Sequence, residues 1–152
     1  MQKLISIIMV TVMVLSMSAC AAPVAQEAAP AEEKAAFTGK YIVNAQYVMD
    51  HMKDENVLIV DARGEDAAKG GTVEGAIAVI WQQFASVSDG AAGDPMWGTI
   101  LDTDRLSAAL SAAGISQDKE IILFAAAQNG WGDDGRILWE LVAVGFPNVK
   151  MV

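Results

Sequence analysis

Val57-Leu58-Ile59-Val60-Asp61-Ala62-Arg63 decides the fold. Its first four residues are continuously apolar and three of them are β-branched. The run is too short for a buried helix, and it lacks the alternation of a strand with one wet face. It reads as a strand covered on both sides, the habit of parallel sheets sandwiched between helices.

The flanking sequence repeats the theme. Upstream, Tyr41-Ile42-Val43 is a short strand-like entry, and Asn44 can cap a helix over residues 45–53 with Val48, Met49 and Met52 on one face. Downstream, Gly70-Gly71 and Gly75 lead to a second buried run, Ala76 to Ile80. Asp102 or Thr103 then caps a helix to about Ala113. Its stripe is Leu106, Ala109, Leu110 and Ala113, and Gly114 ends it. Glu120 to Phe124 is a third strand. Residues 130–135 read as a Gly-rich loop, Ile137 to Val144 as a helix with Ile137, Leu138 and Leu141 inward, and Val149 to Val152 as a fourth strand. Short buried strands alternating with helices define an α/β domain over residues 41–152, a mostly parallel central sheet flanked by helices. Ligands of such sheets sit beyond the carboxyl ends of the strands, here after Val60, Ile80 and Phe124.

The first forty residues follow another logic. Lys3 gives a positive start, and Leu4 to Met17 is apolar or small throughout. Fourteen helical residues span roughly 21 Å, short of the ~30 Å hydrocarbon core. Residues 1–19 therefore read as a signal peptide. Met17-Ser18-Ala19-Cys20 resembles a bacterial lipobox, which makes Cys20 the lipidation residue. Residues 20–40, rich in Ala, Pro and Glu, form a flexible tether. The expectation is an exported protein, anchored by lipid to the membrane at the bacterial cell envelope.

Composition narrows the chemistry. The 152 residues carry a formal charge of −9 and no basic stripe, against nucleic acid as a partner. One Cys and one His leave no disulfide framework, Cys-based zinc site or His-rich centre. Asp89, Asp94, Asp102 and Asp104 match no EF-hand spacing and read as caps and solvated loop. Neither a metal nor a cofactor is expected.

Five segments, in order, resemble the rhodanese family. Val57 to Arg63 is similar to its strand ending Asp-x-Arg. Gly71-Thr72-Val73-Glu74-Gly75-Ala76-Ile77 takes the place of its Gly-His-Ile-Pro-Gly-Ala stretch, with Thr72 and Glu74 departing from the motif. Trp81-Gln82-Gln83-Phe84 follows as in the family. Ile115-Ser116-Gln117-Asp118-Lys119-Glu120 resembles the entry to the strand that carries the catalytic loop. Gly130-Trp131-Gly132-Asp133-Asp134-Gly135-Arg136, with Trp139 and Gly145, completes the pattern. The likeness runs through residues 41–152 and implies a thiosulfate or mercaptopyruvate-type sulfurtransferase fold.

Function departs from that pattern at one place. The family's nucleophilic Cys follows the strand matching Ile121 to Phe124, and here Ala125-Ala126-Ala127 stand there, so Ala125 and Ala126 mark a vacant catalytic position. Persulfide chemistry needs a stabilised thiolate, and residues 125–136 contain no Cys, Ser or Thr. The resemblance extends to Cys-less N-terminal domains of tandem rhodaneses. It implies a supporting role beside a second rhodanese domain of the same chain, beyond Val152, where the sequence stops in a strand that the family continues. The alternative is a permanently non-catalytic binding or scaffold lipoprotein.

Four residues remain as pocket or bracing candidates. Asp61 and Arg63 follow the first strand and form either a polar rim or a loop-bracing pair, with bracing favoured. Arg136, beside Asp133 and Asp134, is expected to pair with them, and those two to cap the helix. Trp131 and Trp97, next to glycines, are expected at an interface, Trp139 in packing, and His51 as a solvated cation at a helix end.

Overall fold

The computed structural model describes residues 39–87 and 93–152. The expected signal peptide, Cys20, nearly all of the tether and Asp89 lie outside the described residues.

Strand β1 is Val57–Asp61, β2 is Ile77–Ala78, β3 is Glu120–Phe124 and β4 is Val149–Met151. They form one all-parallel sheet in the order β2-β1-β3-β4. The β1–β3 register runs from Val57 opposite Glu120 to Asp61 opposite Phe124, so both strands deliver their last residues to the same rim. The expected entry strand shrinks to one bridge, Ile42 with Met151, carried by Val43 N–H to Met151 O at 2.9 Å and Met151 N–H to Tyr41 O at 2.8 Å.

Helix α1 is Ala45–His51, α2 is Glu65–Ala68, α3 is Thr103–Ala113 and α4 is Asp133–Ala143. A short 3-10 helix covers Trp81–Gln83. Asn44 caps α1 by accepting from Tyr47 N–H, and Asp102 caps α3 by accepting from Arg105 N–H. Gly114 takes the left-handed turn that ends α3, at φ 76°.

Alternation along the strands divides the core in two. Val60, Ile121 and Leu123 face Leu106 and Leu110 of α3, Ile137 and Leu141 of α4, and Phe84. Ile59 and Ile122 face the other way, toward Val48 of α1. Ile121, Ile122 and Leu123 have no exposed surface, and each such side chain contributes about 1.5–3 kcal/mol by leaving water. At the start of β3, Tyr47 Oη donates to Glu120 Oε1 at 2.8 Å, and this bond with burial pushes the phenol up to about 12. Lys150 Nζ, 3.3 Å from Glu120 Oε2, completes that tie.

Several boundaries differ from the sequence expectation. The second strand keeps only two residues of Ala76 to Ile80, because after Val79, whose N–H still donates to Asp61 O at 3.0 Å, the chain turns at Ile80 into the 3-10 helix. Helix α4 begins at Asp133 rather than Ile137; Gly132, at φ 79°, forms its N-cap, and Gly135 is carried within the first turn. Helix α2 and the 3-10 helix carry too little apolar periodicity to be read from sequence.

Candidate functional site

The carboxyl ends of β1 and β3 put Asp61 and Arg63 beside the loop that follows Phe124. Asp61 is fully buried, and its carboxylate accepts four hydrogen bonds. Oδ1 receives Arg63 N–H at 3.1 Å and Arg63 Nε at 2.9 Å; Oδ2 receives Arg63 Nη2 and Thr72 Oγ1, both at 2.7 Å. Burial alone would raise this carboxyl, but the Arg63 side chain, Thr72 and the Arg63 amide more than offset it. Asp61 is held below its ordinary 3.8. Arg63 Nη2 also donates to Gly71 O at 2.7 Å, and its guanidinium lies 5.6 Å from the centre of the Phe124 ring. The pair therefore ties the end of β1 to the 71–72 turn, which is the bracing role. Thr72, in the place of the family motif's His, supplies a donor to that brace.

The loop from Ala125 to Gly132 is tightly wound. Asn129 adopts a left-handed conformation at φ 60°, and a Cβ at Gly130 would collide with the Ala126 carbonyl. Gly64, at φ 85°, turns the chain after Arg63, with Ile80 Cγ2 only 2.5 Å from where a Cβ would lie. Between this loop and α1 opens a recess of about 320 Å³, walled by Val48, Met49, Met52 and Phe124 and reached by Ala125 and Ala127. Its lining is almost wholly apolar, an environment that penalises an anion.

Arg136 corrects one expectation. It pairs with neither Asp133 nor Asp134; its Nε donates to Glu140 Oε1 at 2.8 Å, the ordinary i, i+4 reach along a helix. Nη2 donates to the Gly98 carbonyl, and the guanidinium sits between the rings of Trp81 at 5.0 Å and Trp139 at 4.8 Å. Trp97 meets Trp81 edge to face at 5.6 Å. The residue therefore clamps the 96–101 segment onto α4. Glu140 is 1% exposed with Oε2 unpartnered, and burial pushes its carboxyl up against the opposing pull of Arg136.

The capping assignment changes as well. Gly132 is the N-cap without a side-chain bond, and Asp133 and Asp134 are first-turn residues, Asp134 Oδ1 accepting from Gly135 N–H at 2.8 Å. Placed there they complement the helix dipole instead of completing a cap. Trp139 is 51% exposed, so its packing is against the Arg136 guanidinium rather than within the core. Trp131 is 93% exposed and walls, with Trp81 and Arg136, a groove of about 460 Å³. His51 occupies the last turn of α1, half exposed, with Nδ1 2.9 Å from Asp54 Oδ2.

The structure thus gathers Asp61, Arg63, Ala125 and Ala126 at one rim and places Trp131 and Arg136 along the start of α4. It adds Gly98 and Glu140, which sequence reasoning did not single out, and gives Thr72 and Trp81, named from the sequence only as motif positions, their partners Asp61 and Arg136. The i, i+4 spacing of Arg136 and Glu140 was a visible signal. The Gly98 contact, 38 residues away, had none. Among the described residues no group of three His, Cys, Asp or Glu side chains converges.

Residues 44–152 match the family described as rhodanese-like domain. Among solved structures the chain is similar to SseA from Escherichia coli, whose crystal structure is described as giving the "Rhodanese" fold and catalytic mechanism of 3-mercaptopyruvate sulfotransferases, at 27% identity and a TM-score of 0.59. The likeness covers 76% of this chain and 41% of that one, so the chain spans about two-fifths of that protein's length. No curated protein matches the sequence.

Proposed function

The chain belongs to the family of rhodanese-like domains, and we propose that it is a member without a nucleophile of its own, supporting a sulfurtransferase domain carried further along the same polypeptide. One observation carries this reading. The loop after β3 begins Ala125-Ala126-Ala127, and the sequence's only thiol is Cys20. A persulfide requires a sulfur to hold it, and a methyl group offers no lone pair.

Electrostatics argue the same way. An anionic sulfur donor needs cationic or N–H partners. Arg63 is committed to Asp61 and Gly71, and Arg136 to Glu140 and Gly98. Asp133 and Asp134 add negative charge at the start of α4. The role left to the domain is to brace a partner domain and shape its pocket. The reaction of the intact protein would be transfer from thiosulfate or 3-mercaptopyruvate.

The alternative is a permanently non-catalytic binding module, and the apolar recess beside Ala125 and Ala127 favours it. Reading the coding sequence past Val152 separates the two: a second rhodanese-like unit with a Cys after its loop strand supports the first. The biochemical test is cyanide-dependent thiocyanate formation by the intact gene product and by this chain. The proposal expects turnover by the former only; turnover by this chain alone overturns it. We also propose lipid anchoring through Cys20 at the cell envelope, supported by Lys3, the apolar run to Met17 and the small residues before Cys20.

A further inference from the structure

Three exposed tryptophans gather around the half-buried Trp81: Trp97 (38% exposed), Trp131 (93%) and Trp139 (51%). The contacts that join them run through Trp81 and Arg136. Trp97 abuts Trp81, Arg136 lies between Trp81 and Trp139, and Trp81 and Trp131 share the 460 Å³ groove. A monomer's largest apolar patch is ordinarily about 300–600 Å², and one Trp side chain alone buries about 150–250 Å² when covered. Trp, Met and Arg are the residue types that concentrate binding energy at protein interfaces.

Part of this surface is pre-set. Arg136 is held by Glu140 and by the Gly98 carbonyl, and the Trp81 and Trp139 faces pack on its guanidinium before anything docks, which lowers the ordering cost of association. Its charged neighbours are acidic: Asp133 lines the groove, and Asp94 stands exposed two residues from Met96. Among the described residues that line the groove, the one cation, Arg136, is already paired. A second copy of this chain would bring the same acidic rim against itself, on molecules of charge −9. A complementary partner has an apolar hollow for Trp131 and a rim of Lys and Arg.

We propose that this Trp81–Trp97–Trp131–Trp139 face is the docking surface for a second folded domain, with Trp131 as its inserted anchor. The proposal rests on the tandem reading given above, and it specifies which surface of this domain meets the other. The test is hydroxyl-radical footprinting with residue-level mass spectrometry on the intact gene product and on this chain. Trp131 oxidation in the intact product should fall to roughly a tenth of its rate in this chain, as expected of an anchor from which water is excluded. In an intact Trp131→Ala protein, oxidation of Trp97 and Trp139 should rise toward the rates of this chain. If the intact product contains a second domain and Trp131 still oxidises as a free indole, the docking surface is wrong while the tandem reading stands. If it contains no second domain, both fall.

Discussion

Replacing Asp61 by Asn tests the brace at the end of β1 with almost no change in shape. The carboxylate accepts two donors on each oxygen, from Arg63 N–H and Nε on one side and from Arg63 Nη2 and Thr72 Oγ1 on the other. Whichever way the Asn amide turns, its NH₂ faces two donors in a site with no exposed surface. Hydrogen bonds to charged groups are worth about 1.5–3 kcal/mol each, and breaking a buried ion pair costs about 3–5 kcal/mol. A loss of about 3–5 kcal/mol follows, or roughly 10–20 °C in Tm for a domain of this size. Urea and thermal unfolding followed by circular dichroism measure it. The pH dependence supplies an independent check. Asp61 is depressed in the folded state, so its contribution is complete above the unfolded value near 3.8 and is lost as pH falls through the lower folded value. The gap between wild type and Asp61→Asn should stay constant from pH 7 to 5 and close only in stronger acid. A loss below about 1 kcal/mol, within the range of ordinary surface changes, or a gap that widens in acid refutes the brace.

Glu140 has the opposite sign. Burial raises its folded value above 4.5, so it favours the fold most at low pH and loses that contribution as pH rises through the raised value. Glu140→Gln should therefore gain stability relative to wild type as pH rises above about 4.5, read from urea midpoints; a constant difference would contradict the assignment. Gly64→Ala places a Cβ 2.5 Å from Ile80 Cγ2 at φ 85°, and should cost about 1–3 kcal/mol with an unchanged urea slope. Cys20→Ser should abolish incorporation of labelled palmitate and release the protein from the membrane fraction; labelling that persists would locate the lipid elsewhere.

The fold was legible where apolar runs are long enough to state a period. Glu120 to Phe124 and Val57 to Val60 read correctly because a strand covered on both faces has no polar alternation to confuse it. Helix α3 was readable to within a residue: of Asp102 and Thr103 the structure uses Asp102 as the cap, and Gly114 ends the helix as expected. Ile80 was misplaced because apolar character alone does not reveal where a strand loses its partner; it ends 41% exposed. At the site, Asp61 with Arg63 was recognisable as a short-range pair. Arg136 was assigned to the wrong carboxylates because Asp133 and Asp134 are nearer in sequence, whereas a helix turns Glu140 toward it and tertiary packing brings Gly98 and Trp81.

The most direct measurement is sulfur loading of the Cys20→Ser chain. Without the Cys20 thiol, the protein should show no mass increase of one sulfur atom after incubation with thiosulfate or 3-mercaptopyruvate, and should pass no label to cyanide. A sulfur adduct on residues 125–136, transferable to cyanide, would contradict the account.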